Sequence, residues 1–268
     1  MPVKLDQHIH YAEPVQRFVI MAASFMCKLI WFTLCALPVG AQWIKVPKAT
    51  TDLSAPAPRR SDGKPDLSGT WSSDDNRYGR DFATDLKPED VPYQPWAKQI
   101  FEQRKNGSHS AEDPDARCLS QGVPKIESIS YPWKLIYTPN SIAIIYETFT
   151  NWRQIFTDGR EVSPDANPSW LGYSTGKWEG DTLVVDTRGF NGKIWLDQLG
   201  RPTTQKLHVT ERFRRPDYGH LTIDITIDDP GAYTKPWGNR QEMHLRPGWE
   251  PMEFICGENN VDLEHLPK

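Results

Sequence analysis

The run LHVTERFRRPDYGHLTIDITID, residues 207–228, fixes the fold class. In its second half His220, Thr222, Asp224, Thr226 and Asp228 alternate with Leu221, Ile223, Ile225 and Ile227. In its first half His208, Thr210 and Arg212 alternate with Leu207, Val209, Glu211 and Phe213. Side chains along a strand point to opposite faces in turn, so both halves read as strands with one apolar face. The intervening RRPDYG is a turn. Any register that joins the apolar faces also gathers His208, Thr210, Arg212, His220, Thr222 and Asp224 on one polar face. Glu211 is left among apolar neighbours, where it requires a partner.

The same pattern extends outward. KLIYT and SIAIIYETF flank Pro139-Asn140, NWRQIF is followed by Asp158-Gly159, and GYSTGKW and DTLVVDT flank Glu179-Gly180. EMHLRP and MEFIC surround Gly248, and LSGTW opens the series at residues 67–71. Turn dipeptides between alternating runs are hairpin signals. Nine or ten strands with little helix between them predict an all-β domain, an antiparallel barrel or alternatively a β-sandwich. One short helix is expected near 95–105. Pro95 suits its first turn, Trp96, Ile100 and Phe101 form a narrow apolar face, and Asn106-Gly107 ends it.

The chain has 268 residues and a formal net charge of -4, with no long basic run, which argues against nucleic acid as a partner. Residues 18–41, FVIMAASFMCKLIWFTLCALPVGA, are apolar but interrupted by Lys28. Their length and the small-x-small ending at Ala41 predict a signal peptide over 1–41, with an overrun before Met21 or Met26 as the true start. Removal of this segment implies a periplasmic or secreted protein without stable membrane insertion. Residues 42–65, rich in Pro and Ala, read as an extended linker, and 66–268 as one β-rich domain. The cysteines left after cleavage, Cys118 and Cys256, are expected to pair as a disulfide.

No G-x-S-x-G, P-loop, H-E-x-x-H or G-x-G-x-x-G sequence is present, so no cofactor is expected. His244 could join His208 and His220, but their spacing matches no local metal motif and no metal is expected. Two readings of the polar face compete. It is the solvated side of a sheet, or it lines a cleft where His208 or His220 acts as base, Asp224 orients it and Arg212 stabilises an oxyanion. Asp181, Asp186, Asp197 and Asp224 offer carboxylates for glycoside cleavage, although aspartates at strand ends are commonly turn residues.

Aromatic residues are the richer signal, with 11 tryptophans. Trp152, Trp170, Trp178, Trp195 and Trp237 are candidates to line a ligand site, with Arg153 as a carboxylate anchor or as the partner of Asp158 or Glu211.

Two resemblances follow from quoted motifs. Gly69-Thr70-Trp71 resembles the G-x-W on the first strand of lipocalin-like (calycin) barrels. That resemblance implies a Trp at the closed end packed on a late-strand Arg, Arg212 or Arg246. Across residues 65–265, PDLSGTW, YSTGKWEGDTLVVDTRGFN, WLDQLGRPTT and HVTERFRRPDYGHLTIDITIDDPGAYTKPW resemble a family of uncharacterised exported bacterial proteins. This second likeness implies location and no mechanism. The leading expectation is therefore an exported, lipocalin-like barrel that binds a small, partly apolar or sugar-like ligand in an aromatic-lined cavity. Its alternatives are a cofactor-independent hydrolase, lyase or isomerase on the same scaffold, and an envelope protein-interaction module.

Overall fold

The computed structural model describes residues 52–163 and 165–258. The signal-peptide reading of 1–41 and the first part of the expected linker lie outside the described residues. The described part of that linker runs along the barrel, where Gly219 N–H donates to Leu53 O and Arg59 pairs with Asp181.

Nine strands form one closed barrel in chain order, which settles barrel against sandwich. They are β1 (Gly69–Ser72), β2 (Trp133–Tyr137), β3 (Ser141–Tyr146), β4 (Trp152–Phe156), β5 (Tyr173–Glu179), β6 (Thr182–Arg188), β7 (His208–Arg214), β8 (His220–Asp228) and β9 (Trp237–Leu245). β9 returns to β1 through Trp71↔Leu245 and Ser72↔His244, which closes the barrel. In the hairpin that fixed the fold class, Arg212 faces Asp224, Phe213 faces Ile223 and Glu211 faces Ile225. Val209, Glu211, Phe213 and the Leu221 to Ile227 apolar set are buried inside, and the polar set stands outside.

Two expectations need correction. The barrel is mixed, because β4 and β5 run parallel. Asp158-Gly159 does turn the chain, with Arg160 Nε donating to Asp158 Oδ1 at 2.9 Å. β5 then starts beside β4 and parallel to it, where a hairpin was expected. MEFIC forms no strand either. The closure of β9 on β1 leaves it no edge to pair with.

Three short helices accompany the barrel: α1 (Arg77–Arg80), α2 (Pro95–Arg104) and α3 (Lys125–Ser128). α2 is the helix expected near 95–105, with Pro95 in its first turn. Its buried residue is Ala97, while Trp96 is exposed. All four residues of α3 are buried. α3 is fastened by Lys125, whose Nζ lies 2.8 Å from Asp113 Oδ2 and 2.9 Å from Asp115 Oδ2.

The core is filled by Trp71, Trp133, Tyr146, Phe213 and the aliphatic residues of the inward faces. Trp71 packs under a late arginine, but the residue is Arg215, its guanidinium 4.9 Å from the ring, and neither Arg212 nor Arg246. Arg212 points outward to Glu179, and Arg246 lies over Trp249. Arg215, at the turn after β7, reaches both the indole and the backbone carbonyls of Asp66 and Ser68. The expected disulfide joins Cys118 to Cys256, with Cα atoms 5.4 Å apart. Among the described residues no helix is long and apolar enough to cross a membrane.

Candidate functional site

The parallel contact of β4 with β5 is limited to Ile155↔Ser174 and Phe156↔Thr175. Beyond that contact the strands part and leave a cleft of about 530 Å³. One wall is Thr150 to Gln154 with Phe156, the other is Ser169 to Ser174, and Ser120 closes a side. That volume lies within the range of small-molecule sites. Trp152 on the outer face of β4 is 66% exposed, and Trp170 opposite it is half-buried. Gly172 lets the second wall pass close to β6. Its φ is +64°, and a Cβ there would stand 2.8 Å from Arg188 O.

The β3–β4 turn forms the rim. Phe149 and Thr150 both hold left-handed conformations, with φ of 55° and 52°, which cost non-glycine residues energy. The C-terminal segment holds them there. Phe254 stacks edge-on to Phe149 at 5.5 Å, and Thr150 Oγ1 donates to Phe254 O while accepting from its N–H. Cys256, two residues further, ties this segment to Cys118 beside the Ser120 wall.

Arg153 lines the floor, buried from the barrel side. Alternation explains its direction, since Arg153 and Ile155 share the inward face of β4. Its Nε donates to Ser174 Oγ at 2.9 Å and its Nη1 to Glu127 Oε1 at 2.7 Å. Nη1 also reaches Glu211 Oε1 at 3.2 Å, while Nη2 donates to Thr187 Oγ1 and to Glu211 Oε2. All five guanidinium donors are therefore engaged. Of the two roles expected for Arg153, pairing with Glu211 is the one the geometry contains. Tyr146 O–H donates to Glu127 from the far side.

Two carboxyls around one guanidinium cannot both ionise cheaply without water. Burial and the neighbouring Glu211 hold the Glu127 carboxyl well above the usual range. Burial also pushes Glu211 up, but the Arg153 charge outweighs it and the net shift is downward. The two shifts together favour the proton on Glu127 and the charge on Glu211, an arrangement in which Arg153 would be balanced by one carboxylate. Glu127 Oε2 is buried and has no hydrogen-bond partner. Burial and Glu127 likewise push the Tyr146 hydroxyl well up.

Linkage then has two opposite arms. Glu127 has a folded value raised above the ordinary 4.5, so its contribution is full below 4.5 and falls as pH rises from there toward the folded value. Glu211 contributes above 4.5, and that part is lost as pH falls through its lowered folded value. Glu127→Gln keeps the shape of the neutral acid and removes the first arm. Urea unfolding between pH 5 and 9 is expected to give a steeper decline for the native protein than for Glu127→Gln, by up to ~1.4 kcal/mol per pH unit. Parallel profiles would show that Glu127 is ionised in the fold.

The residues picked out from the hairpin do not converge. His208 Nε2 lies 2.6 Å from Asp186 Oδ2 and Arg212 Nη2 donates to Glu179 Oε2 at 2.9 Å. Asp224 pairs with Arg214 and Arg240, which together hold its carboxyl down although partial burial pushes it up. His220 Nδ1 lies 2.7 Å from Asp217 Oδ1, and its ring meets His244 edge-on at 5.2 Å. Asp224 is thus committed to arginines, and neither His208 nor His220 is paired to it. All of these stand on the outer face of the barrel. Among the described residues no group of three His, Cys, Asp or Glu side chains is placed to hold a metal.

Of the tryptophans expected around a ligand, Trp152 and Trp170 meet at the cleft. Trp178 packs on the core, Trp195 lies under Arg104 at 4.3 Å, and Trp237 packs edge-on to Phe82 at 5.4 Å. Glu127, Tyr146, Ser174 and Ser120 were not anticipated. The chain matches no family model, no curated protein and no solved structure.

Proposed function

We propose that this barrel binds a small, partly apolar molecule in the cleft between β4 and β5. The observation that carries the proposal is the cleft itself, with Trp152 and Trp170 in its two walls above a floor where Arg153 is held by Glu127 and Glu211. Indoles in facing walls bury large apolar area and stack on flat rings. The acid–base alternative through His208, His220, Asp224 and Arg212 has less support, because those groups are spent in separate ion pairs outside the barrel.

A lipocalin-like closed end is supported by the Trp71–Arg215 stack, with Arg215 also bonded to the chain before β1. A periplasmic or secreted location is supported by the disulfide, since such bonds persist in oxidising compartments.

Tryptophan quenching tests the binding reading with a panel of neutral aromatics, aromatic acids and oligosaccharides. At least one member is expected to bind, with affinity falling about tenfold in Trp152→Ala and in Trp170→Ala. Trp249→Ala, exposed and outside the cleft, serves as the control. Equal affinities in all three variants would move the ligand elsewhere on the protein.

A further inference from the structure

We infer that the cleft selects an uncharged, flat apolar ring system carrying a single hydrogen-bonding group, which meets the hydroxyl of Ser120. This deepens the binding proposal and rests on it. The lining includes no carboxylate, so it offers a cation no ion pair. Its one cation, Arg153, has all its donors engaged and its charge balanced by Glu211. An anion entering the cleft would lose water and gain no free donor from that guanidinium, a net cost.

The neutral polar groups are also largely spent. Ser174 Oγ accepts from Arg153 and shares a hydrogen bond with Thr187, and Ser169 Oγ donates to Gly172 O. Tyr173 O–H donates to Asn167 O, and the Thr150 hydroxyl is held by Phe254. A sugar presents several hydroxyls that must each find a partner on desolvation, and besides Ser120 these walls offer chiefly the Asn151 and Gln154 amides, whose nitrogens already donate to Thr148 O and Ser141 Oγ. Ser120 differs. Ser120 lines the side wall and its Oγ is closed off there without a partner, so among the lining hydroxyls it is the one with bonding capacity left, and a turn about χ1 would present it to a ligand. A buried hydroxyl without a partner is costly, and a ligand that bonds it recovers that cost. The sugar-like part of the original expectation is thus disfavoured, and the partly apolar part is kept.

Three probes separate the terms: 2-naphthol, naphthalene and 2-naphthoate, with maltose as the hydroxyl-rich comparison. Calorimetry at neutral pH is expected to rank 2-naphthol about five- to tenfold tighter than naphthalene, the worth of one neutral hydrogen bond. 2-Naphthoate is expected to bind at least tenfold more weakly than 2-naphthol, and maltose not at all. Ser120→Ala is expected to erase the preference for 2-naphthol over naphthalene, with urea unfolding confirming that the variant is folded. A preference that survives Ser120→Ala overturns the role of Ser120. Tighter binding of 2-naphthoate or maltose, lost in Trp152→Ala, overturns the ligand class while leaving the cleft a binding site. Failure of all four probes overturns the ligand class, and if the wider quenching panel fails too, the binding reading falls with it.

Discussion

Arg153→Met is expected to cost about 3–5 kcal/mol, the penalty of leaving a buried carboxylate without its counter-charge. The side chain is fully enclosed, and two carboxyls, Ser174 and Thr187 all depend on it. Total stability of a domain is typically about 5–15 kcal/mol, so the variant should be marginal at room temperature. The informative companion is the combined Glu127→Met, Arg153→Met, Glu211→Leu replacement. It removes every charge together, and buried triads treated this way are often as stable as the original. Urea midpoints are therefore expected to fall sharply for the single variant and to recover in the combined one. A single-variant loss below about 1 kcal/mol would mean that water reaches the cluster and that the floor is not a dry, neutralised unit.

The second large effect belongs to Cys118–Cys256. The bond spans 138 residues, and in the loop-entropy description such a link is worth up to about 5 kcal/mol, commonly less. Its loss has a local consequence as well. The segment that supports Phe149 and Thr150 in left-handed conformations leads directly into Cys256. Reduction, or Cys256→Ser, is expected to lower the melting temperature and to speed amide exchange at residues 148–151 before the rest of the barrel. An unchanged melting curve with and without reductant would remove the disulfide from the list of stabilisers.

Much of the barrel was legible because period-two alternation is a direct consequence of strand geometry. The faces of β7 and β8 were readable residue by residue, including Glu211 as a buried acid in need of a partner. Arg153, alternating with exposed neighbours in NWRQIF, was readable as that partner. What alternation cannot report is which side of a closed sheet is inside. The polar face carrying His208 and Asp224 reads identically as cleft or as solvated wall, and closure of β9 on β1 makes it the outside.

The candidate site was harder to see because it depends on connections between strands. A parallel β4–β5 pair follows from the path of 157–172, and Asp158-Gly159 alone suggests a hairpin. Glu127 sits on a four-residue helix, too short to show a periodic pattern. That helix is fastened by Lys125 to Asp113 and Asp115, a contact between residues that look like ordinary loop polarity. The one sequence signal for α3 was the charged pair Lys125 and Glu127 within an otherwise apolar stretch after Gly122. Trp195 and Trp237 illustrate the reverse case: expected at a ligand site, both are buried, Trp195 under Arg104 and Trp237 against Phe82 at the start of β9.

The central claim is that the gap between β4 and β5 is where a neutral ligand sits. Its most direct test follows the indole N–H resonances of nitrogen-labelled protein during addition of 2-naphthol. The account predicts that the Trp152 and Trp170 signals shift together and saturate, while those of Trp195 and Trp237 stay in place. Saturating shifts at Trp195 or Trp237 with Trp152 and Trp170 unmoved would contradict it.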